Sequence, residues 1–218
     1  MAFLPRCFSR VGVFYRPIGS GKDFIMETTK TKATKLRALC ESAIFIALAT
    51  VLGLLKFPPF YFSLWGNGGS IDFVMLPLLL LAFRRGAGWA IPSGLAYGFV
   101  RCLIGGGIGY GVLSVLLDYV LAYGMVGVAG FFKGGKNGVI VGTVVATVAR
   151  FFVHFLSGIT IWKIALGDSY EIFGMAFDSS ASVAYSLLYN GSFMLGEMLF
   201  CLALMIIFKK PFEKLINS

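Results

Sequence analysis

A chain of 218 residues with 58% hydrophobic residues, 13% charged residues and a mean hydropathy of +0.85 is too apolar for an ordinary soluble domain. Its formal net charge of +9 is spread over short segments between apolar runs. That pattern signals membrane orientation and attraction to anionic lipid, and it gives nucleic-acid binding no support.

Residues 1–36 read as a basic tail, with Arg6, Arg10, Arg16 and Lys22 set among aromatics and no apolar core of a signal peptide. Met26 is a candidate start, which would make 1–25 a misplaced beginning. The stretch Gly19-Ser-Gly-Lys22 is not a phosphate-binding loop, because position 16 is Arg where glycine is needed and Asp23 replaces the metal-binding hydroxyl. Apolar stretches then follow at 38–56, 71–84, 87–104, 111–132, 138–163 and 182–208. Each approaches the ~20 residues that cross a hydrocarbon core, except 71–84, which is short and needs tilt or flanking protein. Such continuous runs exclude a transmembrane barrel, whose strands alternate with a period of two.

The expected fold is therefore all-α, an integral membrane bundle of six transmembrane helices over 37–210, followed by a short tail at 211–218. An even number of spans puts both termini on one side. Lys30, Lys32, Lys35 and Arg37 precede the first span, Arg84 and Arg85 join the second and third, Lys133 and Lys136 join the fourth and fifth, and Lys209, Lys210 and Lys214 follow the sixth. The opposite loops hold only Lys56, Arg101 and Lys163, so both termini are expected in the cytoplasm. Gly105 to Gly111 is expected to form a tight external turn. Cys7, Cys40, Cys102 and Cys201 show no close pairing, and neither a disulfide framework, a metal site nor a cofactor is implied.

Each charge at a helix centre costs about 2.5–3.5 kcal/mol and is expected to face protein or water. The intramembrane polar residues are Asp118 and Tyr119, Arg150 and His154, and Tyr185, Asn190 and Glu197, with Glu41 and Asp72 near span starts. Within Arg150-FFVHFLSGITI-Trp162, the residues Arg150, His154, Gly158 and Trp162 fall four apart and share a helical face. A lone histidine followed by a small residue and a large aromatic suits a pocket for a flat polar ligand; a buried structural histidine is the alternative. Asp118 is also a candidate counter-ion for Arg150, and Asn190 with Tyr189 a candidate interhelical hydrogen-bonding pair. Tyr185 and Asn190 are five apart, about 140° around a helix, and share a pocket only if it is broad or the helix is distorted. Together, one carboxylate, one imidazole, one amide and several aromatics suit a cationic heteroaromatic ligand. No HExxH, Gly-x-Ser-x-Gly or carboxylate cluster occurs. Binding or transport thus ranks above an enzyme, for which Asp118 and His154 would be the acid–base pair.

Several segments in order carry a family resemblance: Glu41-Ser-Ala-Ile-Phe-Ile-Ala-Leu-Ala49, Gly69-Ser-Ile-Asp-Phe-Val-Met-Leu-Pro77 with Ala82-Phe-Arg-Arg-Gly86, and Leu117-Asp-Tyr-Val-Leu-Ala-Tyr-Gly124. Arg150-Phe-Phe-Val-His154 with Gly158 and Trp162, and Tyr185 with Asn190, complete the set. The chain resembles, over essentially all of 37–210, the ThiT-type (YuaJ-like) thiamine-binding S components of energy-coupling factor (ECF) transporters. The resemblance implies a non-enzymatic six-helix subunit in a prokaryotic plasma membrane that captures thiamine at its outer face. Residue by residue, it implies a ligand site of Asp118, Tyr119, Arg150, His154, Gly158, Trp162, Tyr185 and Asn190. It also implies a lid in the loop around 57–70, with Trp65 as the lid aromatic. Asp118 is one methylene shorter than the glutamate of some members. The thiazolium would lie against Trp162 and Tyr119, with Asp118 as its negative partner. With no ATP-binding loop in the chain, energy would come from a transmembrane coupling subunit carrying two ATPases. Ala43 and Ala47, four apart, form a small-residue face for that partner or for the chain's own helices. An S component for hydroxymethylpyrimidine or riboflavin is the neighbouring alternative.

Overall fold

The structure is a computed structural model, and it describes residues 21–65, 68–105, 111–134, 137–162, 169–172, 175–178 and 182–217. The external turn expected at Gly105 to Gly111 lies largely outside the described residues, as do Lys136, Lys163 and most of the basic tail. The chain divides into two units, 1–37 and 38–218; helix α1 begins in the first, and the packing and the site belong to the second.

Helix α1 runs Gly21–Leu54 and stops before Pro58 and Pro59, which have no N–H to continue it. A hairpin follows, β1 (Tyr61–Trp65) paired antiparallel with β2 (Gly68–Asp72) in the register Tyr61 to Asp72 and Trp65 to Gly68. Next come α2 (Met75–Arg85) and α3 (Ala87–Gly105). Helix α4 (Val112–Phe132) contains a π-helical segment at Val115–Leu121 and ends as a 3-10 helix at Gly127–Phe132. Helix α5 (Gly138–Ser157) continues as a second π-helical segment, Gly158–Trp162. A second hairpin pairs β3 (Ser169–Ile172) with β4 (Met175–Asp178). The chain finishes with α6 (Ser182–Ile207) and a short α7 (Lys209–Asn217).

The fold is mostly helical, as expected, but the two hairpins are additions to an all-α expectation. Both occupy interspan loops, where backbone groups need partners that no helix supplies. Among the described residues four helical spans are long and apolar enough to cross a membrane: Lys32–Leu54, Val112–Phe132, Gly138–Ile161 and Val183–Ile207. Helix α2, at 11 residues, reaches only about 17 Å at 1.5 Å per residue. It is apolar all round because protein surrounds it: Met75 and every residue from Pro77 to Phe83 are buried. The spanning helices do the opposite and turn apolar side chains outward, such as Ile44, Leu48 and Val51 on α1 and Leu187, Leu195 and Leu199 on α6. Water would penalise that surface; a bilayer requires it.

Helices α3 and α4 approach so closely that a Cβ on Gly98 would collide with the Tyr119 carbonyl oxygen. At one end of the bundle, Glu41 on α1 pairs with Arg84 at 2.7 Å and Arg85 at 2.5 Å. Lys133 donates to the Arg84 carbonyl at 3.1 Å, and the Arg84 guanidinium also donates to the Leu215 carbonyl of α7. Basic residues from two separate connections thus meet at the same end, beside α7.

Candidate functional site

At the opposite end of α2 from that cluster, helices α3 to α6 and the β1–β2 hairpin enclose a cavity of about 380 Å³. That volume lies in the ordinary range for a small-molecule site. Among the residues singled out from sequence, Asp118, Tyr119, Arg150, His154, Gly158, Tyr185 and Asn190 all line it. The other two, Trp65 and Trp162, are the last residues of β1 and of the α5 extension, and their side chains lie outside the described residues.

The local reasons for this convergence are legible. Asp118 and Tyr119 are sequence neighbours, which a regular helix would separate by about 100°. They fall inside the π-helical segment of α4, and such wide turns recur at functional sites. Gly158 begins the second π-helical segment, where α5 presses on α6: a Cβ there would collide with Ser186 Oγ and stand 2.8 Å from Ser186 Cβ. That contact lets α6 side chains reach the α5 backbone. Ser186 Oγ donates to the Phe155 carbonyl at 3.0 Å, and Asn190 Nδ2 donates to the His154 carbonyl at 3.3 Å. Asn190 Nδ2 also bonds the Ser186 carbonyl at 3.0 Å and Ser186 Oγ at 3.1 Å. With its NH2 group so occupied, Asn190 has its carbonyl oxygen to offer a ligand. Tyr185 and Asn190 share the wall because the cavity is broad, following α6 through Tyr185, Tyr189, Asn190, Phe193 and Glu197.

Asp118 sits at the centre. Its Oδ2 accepts hydrogen bonds from Ser157 Oγ at 2.7 Å and Ser114 Oγ at 2.9 Å, and its Oδ1 lies 3.2 Å from His154 Nδ1. An Nδ1–H aimed at a carboxylate makes Nε2 the acceptor of a neutral imidazole. His154 Nε2 is buried without a partner among the described residues. The histidine is therefore not the fully satisfied structural residue that was the alternative. Around these groups Tyr185 and Tyr189 stack at 5.6 Å with planes 9° apart, Tyr189 meets Phe193 edge-on at 5.6 Å, and Phe193 meets His154 at 5.9 Å.

Arg150 has a partner that sequence reasoning did not assign. Its Nη1 binds Glu197 Oε2 at 2.8 Å, and its guanidinium carbon lies 4.4 Å from the centre of the Tyr123 ring. Asp118, the candidate counter-ion, yields that place to Glu197. Both Arg150 and Glu197 are buried, at 5% and 1% exposure, where an unpaired charge would be untenable. On the hairpin side, Arg101 donates to the Gly53 carbonyl at the end of α1 at 2.7 Å and lies 3.8 Å from Asp72. Asp72 in turn accepts from the Val74 N–H at 3.0 Å, tying β2 to the start of α2. The hairpin expected as a lid contributes Tyr61, Gly69, Ser70 and Asp72 to the cavity wall.

Ser114, Ser157, Ser186, Tyr189 and Arg101 were not singled out as site residues. Serines are ubiquitous in membrane helices, and only the spacing of Ser114 four residues before Asp118 carried a signal. Glu197 stood among the intramembrane polar residues, but a partner 47 positions away has no sequence marker.

The fold and cavity thus define a helical membrane protein with a polar, aromatic-lined cavity of small-molecule size. A family model described as thiamine transporter protein (Thia_YuaJ) matches residues 39–217. The thiamine transporter ThiT of Bacillus subtilis (strain 168) is 26% identical over 193 residues, covering 86% of this chain and 97% of its own length. A solved structure of ThiT from Listeria monocytogenes superposes with a TM-score of 0.68 at 24% identity, over 84% of this chain and 98% of that one, and so shares the fold. The chain belongs to the thiamine transporter protein family, and it is a multi-pass protein of the cell membrane rather than an enzyme.

Proposed function

We propose that the chain is the substrate-binding subunit of an ECF-type vitamin transporter, and that it captures thiamine at the outer face in the cavity centred on Asp118. The observation that carries this reading is the polarity of that cavity. Asp118 supplies a carboxylate, His154 an Nε2 acceptor and Asn190 a carbonyl oxygen, all beside tyrosine and phenylalanine rings. A site that offers acceptors, negative charge and aromatic faces selects a flat cation bearing N–H donors. Thiamine, with an aminopyrimidine and a thiazolium, is such a molecule.

In this reading the thiazolium lies against Trp162 and Tyr119 with Asp118 as its negative partner, while His154, Tyr185 and Asn190 hydrogen-bond the pyrimidine or the hydroxyethyl tail. Gly158 is the opening that lets α6 close on the site, and Arg150 supports it from beneath. The β1–β2 hairpin is the lid, with Trp65 as its aromatic, and its closure excludes water and slows release. Residues 37–210 cross the membrane six times with both termini cytoplasmic, and 1–36 and 211–218 are tails. The basic cluster of Arg84, Arg85 and Lys133 then marks the cytoplasmic end.

Transport needs partners, a transmembrane coupling subunit with two ATPases. Ala43 and Ala47 are exposed on α1 rather than packed against the described helices of this chain, which favours a partner helix as their neighbour.

Titrating the purified protein with thiamine while following tryptophan fluorescence tests this reading, with hydroxymethylpyrimidine and riboflavin as competitors and chromatography of the recovered ligand. Saturable quenching by thiamine and unchanged recovered ligand are expected. Preference for a competitor would move the assignment to another vitamin, and a chemically altered ligand would overturn the binding role.

A further inference from the structure

Asp118 is the only carboxylate of α4, and the sequence places it alone, yet the structure surrounds one of its oxygens with two hydroxyl donors from different helices. Ser114, one turn earlier on α4, donates to Oδ2 at 2.9 Å, and Ser157, the last residue of the α-helical part of α5, donates to the same oxygen at 2.7 Å. Both serines are buried, at 1% and 0% exposure. Each hydroxyl is spent on that carboxylate oxygen, so alanine at both positions would take two donors away from Oδ2. Ser114 lies in the first turn of α4, and Ser157 lies where a serine in a helix commonly turns its hydroxyl back to the carbonyl four residues earlier, as Ser93 does to Trp89 at 2.7 Å. Here both turn to the carboxylate instead.

Two donors on one carboxylate oxygen have a definite chemical effect. They favour the ionised form, and they fix rotation about the last side-chain bond so that the other oxygen keeps one orientation. That second oxygen, Oδ1, is the one beside His154 Nδ1, so the same arrangement orients the imidazole and directs its Nε2. We infer that Ser114 and Ser157 are positioning residues of the ligand site, which hold the Asp118 carboxylate charged and aimed and thereby set its affinity for a cationic, N–H-bearing ligand. A shorter aspartate has less reach than a glutamate, and two hydroxyls behind it restrict it to one pose. The inference rests on the thiamine reading above.

A double-mutant cycle separates positioning from mere packing. Thiamine affinity is measured by titration for the wild type, Asp118→Ala, the combined Ser114→Ala and Ser157→Ala variant, and the triple variant, with thermal unfolding in detergent followed alongside. Removing a charge-assisted contact weakens binding by roughly 10- to 150-fold, which keeps the Asp118→Ala background within measurable range. The double serine variant is expected to bind thiamine at least about tenfold more weakly when Asp118 is present, and to differ less than about twofold between the two Asp118→Ala backgrounds. An equal loss in both backgrounds, or no loss in either, overturns the inference. If the alanine variants do not fold, Ser114→Cys and Ser157→Cys keep similar volume with a weaker donor. Their affinity is then expected to fall between those of the wild type and Asp118→Ala, and wild-type affinity would overturn the proposal. A folded wild type that does not bind thiamine defeats the functional reading itself, whereas a wild type that binds with an additive cycle defeats only the role of the serines.

Discussion

Among the described residues, Arg150 and Glu197 form the most buried ion pair, at 2.8 Å between α5 and α6. Removing one partner strands the other charge, so Glu197→Ala is expected to lower stability by about 3–5 kcal/mol. Replacing both, as Arg150→Met with Glu197→Leu, is expected to recover most of that loss, because the double change removes the stranded charge. Thermal unfolding in detergent checks both, and equal destabilisation by the single and the double change would contradict this view of the pair. Asn190 gives a second residue-scale expectation. Its Nδ2 ties α6 to the His154 carbonyl and to Ser186, so Asn190→Ala loses both a ligand acceptor and the orientation of α6 beside His154. Thiamine affinity measured by titration is expected to fall by about tenfold or more.

At the scale of elements, the two π-helical segments and the close approach at Gly158 decide where the site forms. Gly158→Ala places a methyl group against Ser186, and one of the two helices must move. A destabilisation of about 1–3 kcal/mol is expected, together with weaker thiamine binding. Adding Ser186→Gly, which removes the atoms in the way, is expected to restore part of the stability. No gain from that second change, read by thermal unfolding, would mean that Gly158 is required for another reason.

These elements also show where sequence was informative. The stretches 87–104, 111–132, 138–163 and 182–208 fall within a residue or two of α3, α4, α5 with its extension, and α6, because a lipid environment imposes length and apolarity that are written directly in composition. The short stretch 71–84 marked a segment in need of protein cover, and α2 is buried nearly throughout. The hairpins left no comparable trace. Tyr61–Trp65 and Gly68–Asp72 pair, but five-residue strands with mixed polarity look like any loop. The π-helical segments were likewise invisible, since a wide turn changes the facing of side chains and not their identity. The four-residue spacing of Arg150, His154 and Gly158 was legible as a face; that Arg150 would turn to Glu197 was a matter of tertiary packing.

For the whole molecule, the proposed binding cavity and the proposed coupling face lie on different surfaces. The cavity opens among α3 to α6 and the first hairpin, while Ala43 and Ala47 lie exposed on α1 among outward-facing Ile44, Leu48 and Val51. Large side chains on that face block close approach by a partner helix without touching the cavity. The variant Ala43→Trp with Ala47→Trp is therefore expected to bind thiamine like the wild type and to fail in uptake by cells that also carry the coupling subunit and ATPases. Retained uptake would remove α1 as the coupling face. The central claim, a thiamine site built around Asp118, is tested most directly by isothermal titration of the purified, detergent-solubilised protein with thiamine, using riboflavin and biotin as controls and Asp118→Ala as the comparison. Tight, saturable binding of thiamine alone, weakened by roughly 10- to 150-fold in Asp118→Ala, is the predicted result. Absence of thiamine binding by the folded wild type, or affinity unchanged in Asp118→Ala, would contradict it.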